Sequence, residues 1–186
     1  AMQPTQIIND IFALYHERGH RQYGEDVTEL QHALQCAAFA TRNNEAPHIV
    51  AACLLHDYGH LVHDLGEDIT ERGVDARHEE LGANRLAAWF TAEIVEPVRL
   101  HVAAKRFLCW KVPNYFDGLS EASQRSLQLQ GGIMTDEEAA IFEQNPHGEA
   151  AARLRRYDDA GKIKDLETPG LDSYLALLEQ FVRTDS

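Results

Sequence analysis

Apolar residues recur every three to four positions along most of the chain, which is the period of an amphipathic α-helix. The first such segment predicts a helix that is capped by Thr5 and ended by Gly19. Its apolar face consists of Ile7, Ile8, Ile11, Phe12, Leu14 and Tyr15. No stretch alternates apolar and polar residues strongly enough to predict a strand. We therefore expect an almost wholly helical protein.

Capping signals predict where later helices begin. Thr28 is followed three residues later by Gln31, which is the spacing of a capping box, and Thr135 with Glu138 repeats it. Pro47 suits the first turn of another helix. The predicted helices after the first lie at about 28–41, 47–62, 76–90, 92–107, 120–129, 135–144, 148–159 and 171–182, with loops at about 20–27, 63–75 and 110–119. The acidic loop at 63–75 is long enough to form a rim or a lid.

Composition indicates one domain in a reducing compartment. The chain has 186 residues with 44% hydrophobic content, enough for a single domain with a core. Cys36, Cys53 and Cys109 are widely spaced and form no Cys-x-x-Cys pair, which favours buried thiols. No apolar run approaches the ~18–20 residues that span a bilayer, and the basic-then-apolar order of a signal peptide is missing. We expect a cytoplasmic protein that does not enter a membrane.

The charge balance argues against a nucleic-acid partner. Thirty acidic residues against seventeen basic ones give a formal net charge of −13, which would repel a phosphate backbone. A small anionic substrate is still compatible with this charge, because metal ions and a local cationic pocket act at shorter range than the screened field of the whole protein.

His56 and Asp57 stand side by side after the apolar run from Ile49 to Leu55. Neighbouring residues on a helix point about 100° apart, so they can serve two ions, with the aspartate as a bridge. A His/Asp set without thiolate favours iron, manganese or zinc. His60, four residues after His56, is predicted to be a third ligand or a group close to the bound ion. The alternative is a polar helix end with a histidine near the C-terminal dipole.

Further residues of the ligand type lie on separate predicted helices. His32, His78 and His101 each lie beside core-type positions, and Asp158 lies near the end of a later helix. Helical bundles build metal sites from inward side chains on facing helices. One histidine placed in this way is more often a core or surface residue than a ligand. Their number and distribution therefore indicate a metal centre, to which Asp158 or the adjacent Asp159 contributes.

The lone histidine, the His-Asp pair and the later aspartate resemble the pattern of the HD-domain superfamily, and His78 and His101 match its dinuclear branch. Within that branch the chain is similar to mixed-valent di-iron oxygenases that degrade phosphonates, over nearly its whole length. The lysine-bearing and Gln-Gly-Gly segments are more specific than the His-Asp pair, which many hydrolases share. The segments that carry the resemblance are Gln31–Ala37, Leu55–His60, His101–Arg106, Leu119–Ser123, Leu129–Gly132 and Arg155–Asp158.

The resemblance implies an all-α HD-domain helical bundle, with a metal-binding core at about 28–159 on which the N- and C-terminal helices pack. It also implies two iron ions as an Fe(II)/Fe(III) pair, and it favours Asp158 over Asp159 as a ligand. The first iron would be held by His32, His56, Asp57 and Asp158. The second iron would be held by His78, His101 and the bridging Asp57.

Beyond the ligands, the resemblance implies catalytic roles for Lys105 and His60, with Lys105 meeting the phosphonate one helical turn after His101. Ser123, Gln130 and Arg155 would be further substrate-binding groups. Without the resemblance, Lys105 and Arg155 would be interpreted as solvated charges, and Ser123 and Gln130 as ordinary polar residues of helices.

The implied reaction is the cleavage of a C–P bond by O2 in a small organophosphonate, supplied by an upstream phosphonate hydroxylase. Tyr23 directly precedes Gly24, whereas an intervening residue separates these two in the members that act on a primary amine. Tyr23 and Glu25 together suit a quaternary ammonium, which prefers aromatic faces and diffuse negative charge. We therefore expect (R)-1-hydroxy-2-(trimethylammonio)ethylphosphonate as substrate and glycine betaine as product. The alternative is 2-amino-1-hydroxyethylphosphonate, which would give glycine.

Two other classes of function use the same residues. A metal-dependent phosphohydrolase would use the His-Asp set to activate water on a phosphate ester without oxygen. A regulatory HD module would have an incomplete ligand set or a blocked pocket, which the full set of six residues disfavours.

Overall fold

The chain folds into a bundle of helices in the computed structural model, which describes residues 2–24, 26–62 and 77–184. The helices are α1 (Pro4–Arg18), α2 (Glu29–Arg42), α3 (Pro47–Leu55), α4 (Tyr58–Leu61), α5 (His78–Leu86), α6 (Ala92–Lys111), α7 (Glu121–Leu129), α8 (Asp136–Gln144), α9 (Gly148–Ala160) and α10 (Leu175–Glu179). Short 3-10 helices span Phe116–Gly118 and Leu171–Tyr174. The all-α prediction is confirmed. The loop predicted after Val62 lies outside the described residues.

A small antiparallel hairpin interrupts the helical pattern. It joins β1 (Gln22–Tyr23) to β2 (Val27–Thr28), with Tyr23 opposite Val27. The prediction that the chain lacks strands was wrong at this position, because a two-residue strand is too short to produce an alternating pattern. The hairpin places Tyr23 next to the first turn of α2.

The predicted caps are confirmed in α2 and α8, but not in α1. Both capping boxes form, with Thr28 and Thr135 as the N-cap residues. In α1 the helix begins at Pro4, so Thr5 lies inside the first turn and caps nothing. Gly19 does end α1, in a right-handed conformation with a φ of −70°. Glycine is required there because a Cβ would lie 2.2 Å from the carbonyl oxygen of Tyr15.

Several predicted boundaries were shifted by tertiary packing. Helix α6 continues to Lys111, so Trp110 is helical and the loop begins only after it. Helix α5 is shorter than predicted, because it spans only His78–Leu86, and its Leu81 is exposed. The predicted last helix is divided between a 3-10 turn and α10, and Val182 beyond it forms an isolated bridge with Phe90.

The sequence pattern predicted that His56 and Asp57 lie within one continuous helix, and this prediction was wrong. Helix α3 ends at Leu55, His56 is its C-cap residue, and Asp57 has φ −100° and ψ 16°. Helix α4 begins at Tyr58 and carries His60. The break between α3 and α4 therefore determines the direction of the Asp57 side chain.

Helix α6 is the centre of the bundle and packs against α3, α5, α8 and α9, while α2 packs against α3 and α9. Leu54, Leu55, Ile94 and Val98 are completely buried between these helices, each contributing about 1.5–3 kcal/mol. Helices α1 and α10 contact each other. The predicted limits of the metal-binding core, at about 28–159, stay a prediction. Among the described helices, none is both long and apolar enough to cross a bilayer.

Helices α4 and α5 cross at two glycines. A Cβ on Gly59 would lie 1.8 Å from the carbonyl oxygen of His78 and 2.9 Å from the backbone nitrogen of Gly82. Both neighbours are backbone atoms, which cannot rotate away as a side chain can. This crossing brings the helix that carries His60 against the helix that begins with His78.

We predict that Gly59→Ala destabilises the protein by more than the ~1–3 kcal/mol usual for overpacking, because α4 and α5 must separate. Urea unfolding followed by circular dichroism measures this change. Gly118→Ala is the matched control, since a Cβ there has no atom within 4 Å. An unfolding midpoint for Gly59→Ala equal to that of the wild type would contradict the prediction.

Candidate metal centre

The first group of predicted ligands converges from three parts of the fold. His32 Nε2, on α2, lies 2.9 Å from Oδ1 of Asp158, on α9, and 3.2 Å from Nε2 of His56. The Oδ2 atom of Asp57 lies 3.3 Å from His32 Nε2 and 3.1 Å from His56 Nε2. All four side chains are buried. These atoms are close enough together to hold one metal ion.

The second group forms around the other carboxylate oxygen of Asp57. Its Oδ1 atom lies 3.2 Å from Nε2 of His78 and 3.5 Å from Nε2 of His101. The two Nε2 atoms of His78 and His101 are 3.0 Å apart. His60 Nε2 is more distant, 3.8 Å from Oδ1, and its ring stacks on that of His78. Asp57 therefore presents one oxygen to each group, as a bridging carboxylate would.

Backbone carbonyls fix the orientation of three of these histidine rings. Nδ1 of His32 bonds the carbonyl of Gly161 at 2.7 Å, Nδ1 of His56 that of Cys53 at 2.7 Å, and Nδ1 of His101 that of Val98 at 2.6 Å. A carbonyl only accepts, so Nδ1 carries the proton and a neutral ring presents its lone pair at Nε2.

If no cation lies between the rings, the Nε2 lone pairs of His32 and His56 point at each other. Nε2 of His32 and Nε2 of His56 are only 3.2 Å apart, and the buried Oδ2 of Asp57 receives no hydrogen bond within the described residues. Nitrogen and carboxylate donors without thiolate suit iron, manganese or zinc. The residues present therefore fit a pair of cations of this kind.

The electrostatics of the first group attract positive charge. Burial lowers the pKa of His56, but the carboxylates of Asp57 and Asp158 outweigh burial and raise that pKa well above its usual value. Burial raises the pKa of Asp57, but the charge of His56 and contacts with His101 hold it well below its usual range. In His101 burial dominates and lowers the pKa. Protons and metal ions therefore compete for the Nε2 atoms of the first group.

The two adjacent aspartates, Asp158 and Asp159, have different partners in the structure. Asp158 Oδ1 faces His32, whereas Asp159 Oδ1 accepts from Nε of Arg155 at 2.9 Å. The hydroxyl of Tyr115 donates to the other oxygen of Asp159. Asp158 is thus the residue that faces the histidines, in agreement with the expectation from the resemblance.

Lys105, Ser123 and Arg155 are brought together beside the first group. The ammonium of Lys105 donates to the carbonyl of Ser123 at 3.0 Å and to Oγ of Ser126 at 2.8 Å. Burial, followed by the nearby charge of Arg155, lowers the pKa of Lys105 to about 7. Arg155 donates to Oγ of Ser123 at 3.2 Å and pairs with Oδ2 of Asp158 at 3.0 Å. Two buried cationic side chains therefore meet at Ser123, and Arg155 pairs with the candidate ligand Asp158.

Among the other predicted substrate contacts, Tyr23 lies next to the candidate ligands. Tyr23 stacks on the ring of His32 with 3.8 Å between centroids, and its hydroxyl donates to Oδ1 of Asp158 at 3.3 Å. Gln130 is the C-cap residue of α7, and its buried Oε1 has no partner among the described residues. Glu25 lies outside the described residues. Tyr23 thus faces the metal ligands directly.

Three residues near the candidate ligands were not predicted from the sequence: Glu29, Ser126 and Tyr115. Glu29 is buried three residues before His32 on the same face of α2, so helical spacing alone could have identified it. Burial, followed by the charge of Asp57, raises the pKa of Glu29 well above its usual value. Tyr115 had no sequence signal, because it reaches Asp159 from a distant loop.

Comparison with known proteins supports a relationship that covers most of the chain. A profile of the HD domain family matches residues 30–142, a range that includes His32, His56, Asp57, His78 and His101 but not Asp158. Hydroxymethylphosphonate dioxygenase of Gimesia maris is 45% identical over 172 residues, which cover 92% of this chain and 86% of that protein.

A second relative has a different substrate in its name. The glycine-betaine-forming [1-hydroxy-2-(trimethylamino)ethyl]phosphonate dioxygenase of Leisingera caerulea is 42% identical over 177 residues, which cover 95% of this chain and 90% of that protein. Both relatives are thus dioxygenases of hydroxylated phosphonates.

We predict that Asp57→Ala loses both bound metal ions, because its two oxygens serve both groups, whereas His101→Ala loses only the ion of the second group. Elemental analysis after dialysis against iron measures the content of each variant, and circular dichroism verifies that each is folded. His48→Ala, which alters a histidine outside both groups, should keep the wild-type content. Full metal content in Asp57→Ala would contradict the bridging position.

Proposed function

Since the chain belongs to the HD domain family, we propose that it is a di-iron dioxygenase that cleaves the C–P bond of a small 1-hydroxyphosphonate with O2. The observation that carries this proposal is the position of Asp57, whose two oxygens face separate groups of histidines. The names of both relatives support an oxygenase that acts on hydroxylated phosphonates. The resemblance implies that the two ions form an Fe(II)/Fe(III) pair.

The proposed reaction balances without an external reductant. A 1-hydroxyphosphonate dianion and O2 give a carboxylate, hydrogen phosphate and a proton. The C–P and O–O bonds break, C1 is oxidised, and O2 accepts all four electrons. When bound, the iron pair would supply the coordination of O2 and the electron transfer.

The side chains around the metal ligands would bind and orient the substrate. Lys105 and Arg155 would provide cationic donors for phosphonate oxygens. Both contact Ser123, Lys105 at its carbonyl oxygen and Arg155 at its hydroxyl. Most donors of Arg155 already serve Asp158, Asp159 and Ser123. Arg155 would therefore mainly hold the ligand Asp158 in place, and Lys105 would be the principal contact of the phosphonate.

His60 would act from the opposite side, next to the second group. Its ring stacks on His78 with 4.0 Å between centroids, and part of its surface is open to solvent. This position allows Nε2 to donate to a substrate oxygen or to accept a proton from it. Because His60 is more distant from Asp57 than His78 and His101 are, we assign it to the substrate and not to the metal.

The substituent on C1 defines the candidate substrates. The sequence of the Tyr23 segment favours the trimethylammonio compound, whose product is glycine betaine, with the primary amine as the alternative. The relative from Gimesia maris adds hydroxymethylphosphonate, which has no nitrogen. We also propose that an upstream phosphonate hydroxylase supplies the 1-hydroxyl group and that the protein lies in the cytoplasm.

We predict that the iron-loaded protein consumes one O2 per phosphate released from at least one of these three substrates. An oxygen electrode and a phosphate assay, run in parallel, measure this ratio. Phosphate release from phosphate esters without O2 consumption would replace the oxygenase with a metal-dependent phosphohydrolase. Loss of both signals in Asp57→Ala would assign the activity to this site.

We also predict that phosphonate affinity decreases as the pH rises through about 7, because the pKa of Lys105 is lowered to about 7. Its ammonium is present below that pH and is lost above it, so affinity should fall by up to about tenfold per pH unit. Calorimetry with ethylphosphonate, without O2, measures the effect. Lys105→Arg stays charged, so its remaining pH dependence reports the ionisation of the ligand. Identical profiles for the two proteins would contradict the role of Lys105.

A further inference from the structure

We propose that Lys162 determines specificity by occupying the aromatic face of Tyr23, so that the enzyme prefers a 1-hydroxyphosphonate without a cationic substituent, such as hydroxymethylphosphonate. This inference rests on the proposed function. It differs from the preference for a trimethylammonio substrate, which was based on the Tyr23 segment alone.

Both faces of the Tyr23 ring are already in use. The ring of His32 covers one face in a nearly parallel stack, with 3.8 Å between centroids and 10° between planes. The ammonium of Lys162 lies over the ring at 5.6 Å from its centroid. A gap of 3.8 Å between two rings has no room for an ammonium, so Lys162 covers the opposite face. A quaternary ammonium would need that same face.

The backbone around Lys162 is held firmly against α2. The carbonyl of Gly161 accepts from the ligand His32, at 2.7 Å. The side chain of Gln35 donates to the carbonyl of Ile163 at 2.7 Å and accepts from its N–H at 2.9 Å. Lys162 is thus fixed between two residues that are both bound to the helix of His32. Its position above Tyr23 follows from the same contacts that orient a metal ligand.

The ammonium of Lys162 also forms a hydrogen bond with helix α7. It donates to Oγ of Ser120 at 2.9 Å, and Ser120 is the N-cap residue of α7. Three residues later Ser123 contacts Arg155. Lys162 therefore contacts both the hairpin that carries Tyr23 and helix α7, whose Ser123 contacts Lys105 and Arg155. A positive charge here attracts a phosphonate dianion and repels a second cation on the substrate.

The experiment compares substrates that share the phosphonate and differ in charge elsewhere. The variants are Lys162→Met, which removes the charge but keeps the length, and Lys162→Arg, which keeps the charge. Lys164→Met is the matched control, because Lys164 is exposed two residues further along the chain. For each iron-loaded protein, kcat and KM are measured with hydroxymethylphosphonate and with the trimethylammonio substrate.

We expect the wild type to prefer hydroxymethylphosphonate. Lys162→Met should shift the ratio of the two kcat/KM values by about tenfold or more toward the trimethylammonio substrate, as expected when a neighbouring unit charge is removed. The shift should appear mainly in KM, since Lys162 does not contact the metal ligands' donor atoms. Lys162→Arg and Lys164→Met should keep the wild-type ratio. An unchanged ratio in Lys162→Met, or a wild type that prefers the trimethylammonio substrate, would overturn the inference.

A binding measurement separates this inference from the proposed reaction. Calorimetry without O2 compares ethylphosphonate with 2-(trimethylammonio)ethylphosphonate, neither of which has the 1-hydroxyl group. Tighter binding of the trimethylammonio compound to Lys162→Met than to the wild type would support the role of Lys162 even if no substrate consumed O2. Equal affinities of both proteins for both compounds would reject that role, whereas O2 consumption by either substrate would leave the proposed reaction intact.

Discussion

The carboxylate of Asp57 is the constraint on which the rest of the structure depends. A buried carboxylate is costly unless it is paired or binds a metal, and here each of its two oxygens faces a different group of histidines. Those histidines come from α2, α5 and α6 and from the end of α3. Helix α6 is the centre of the bundle, and the helices around it bring these side chains to one shared carboxylate.

The geometry of the candidate metal centre depends on backbone atoms as well as on the ligand side chains. The carbonyls of Cys53, Val98 and Gly161 determine which ring nitrogen of each histidine faces inward. The crossing of α4 and α5 at Gly59 and Gly82 leaves no room for a side chain. Contacts that stabilise the fold are therefore also the contacts that set the geometry of the metal centre, and packing changes there affect both properties.

In the proposed function, the region beside the first group would link anion binding to metal binding. Arg155 pairs with Asp158 and also contacts Ser123, while Lys105 is held by Ser123 and Ser126. A phosphonate that binds to this region would lie next to a metal ligand. Lys162 extends the positive charge to the ring of Tyr23. In the proposed enzyme, the charges that attract the phosphonate would therefore also influence which substituent it can carry.

The sequence by itself determined the helical class and both capping boxes, because helical periodicity and caps are local signals. It also identified the histidines and aspartates that the fold brings together, and their role as metal ligands stays a prediction. The family resemblance favoured Asp158 over Asp159, and in the fold Asp158 is the one that lies beside His32. The tertiary structure alone decided the break at His56 and Asp57, the hairpin of Tyr23 and the position of Lys162. Each depends on atoms that are distant in sequence, as when Tyr23 meets Asp158 or Gln35 meets Ile163. Such contacts arise only when the helices pack, so no local pattern encodes them.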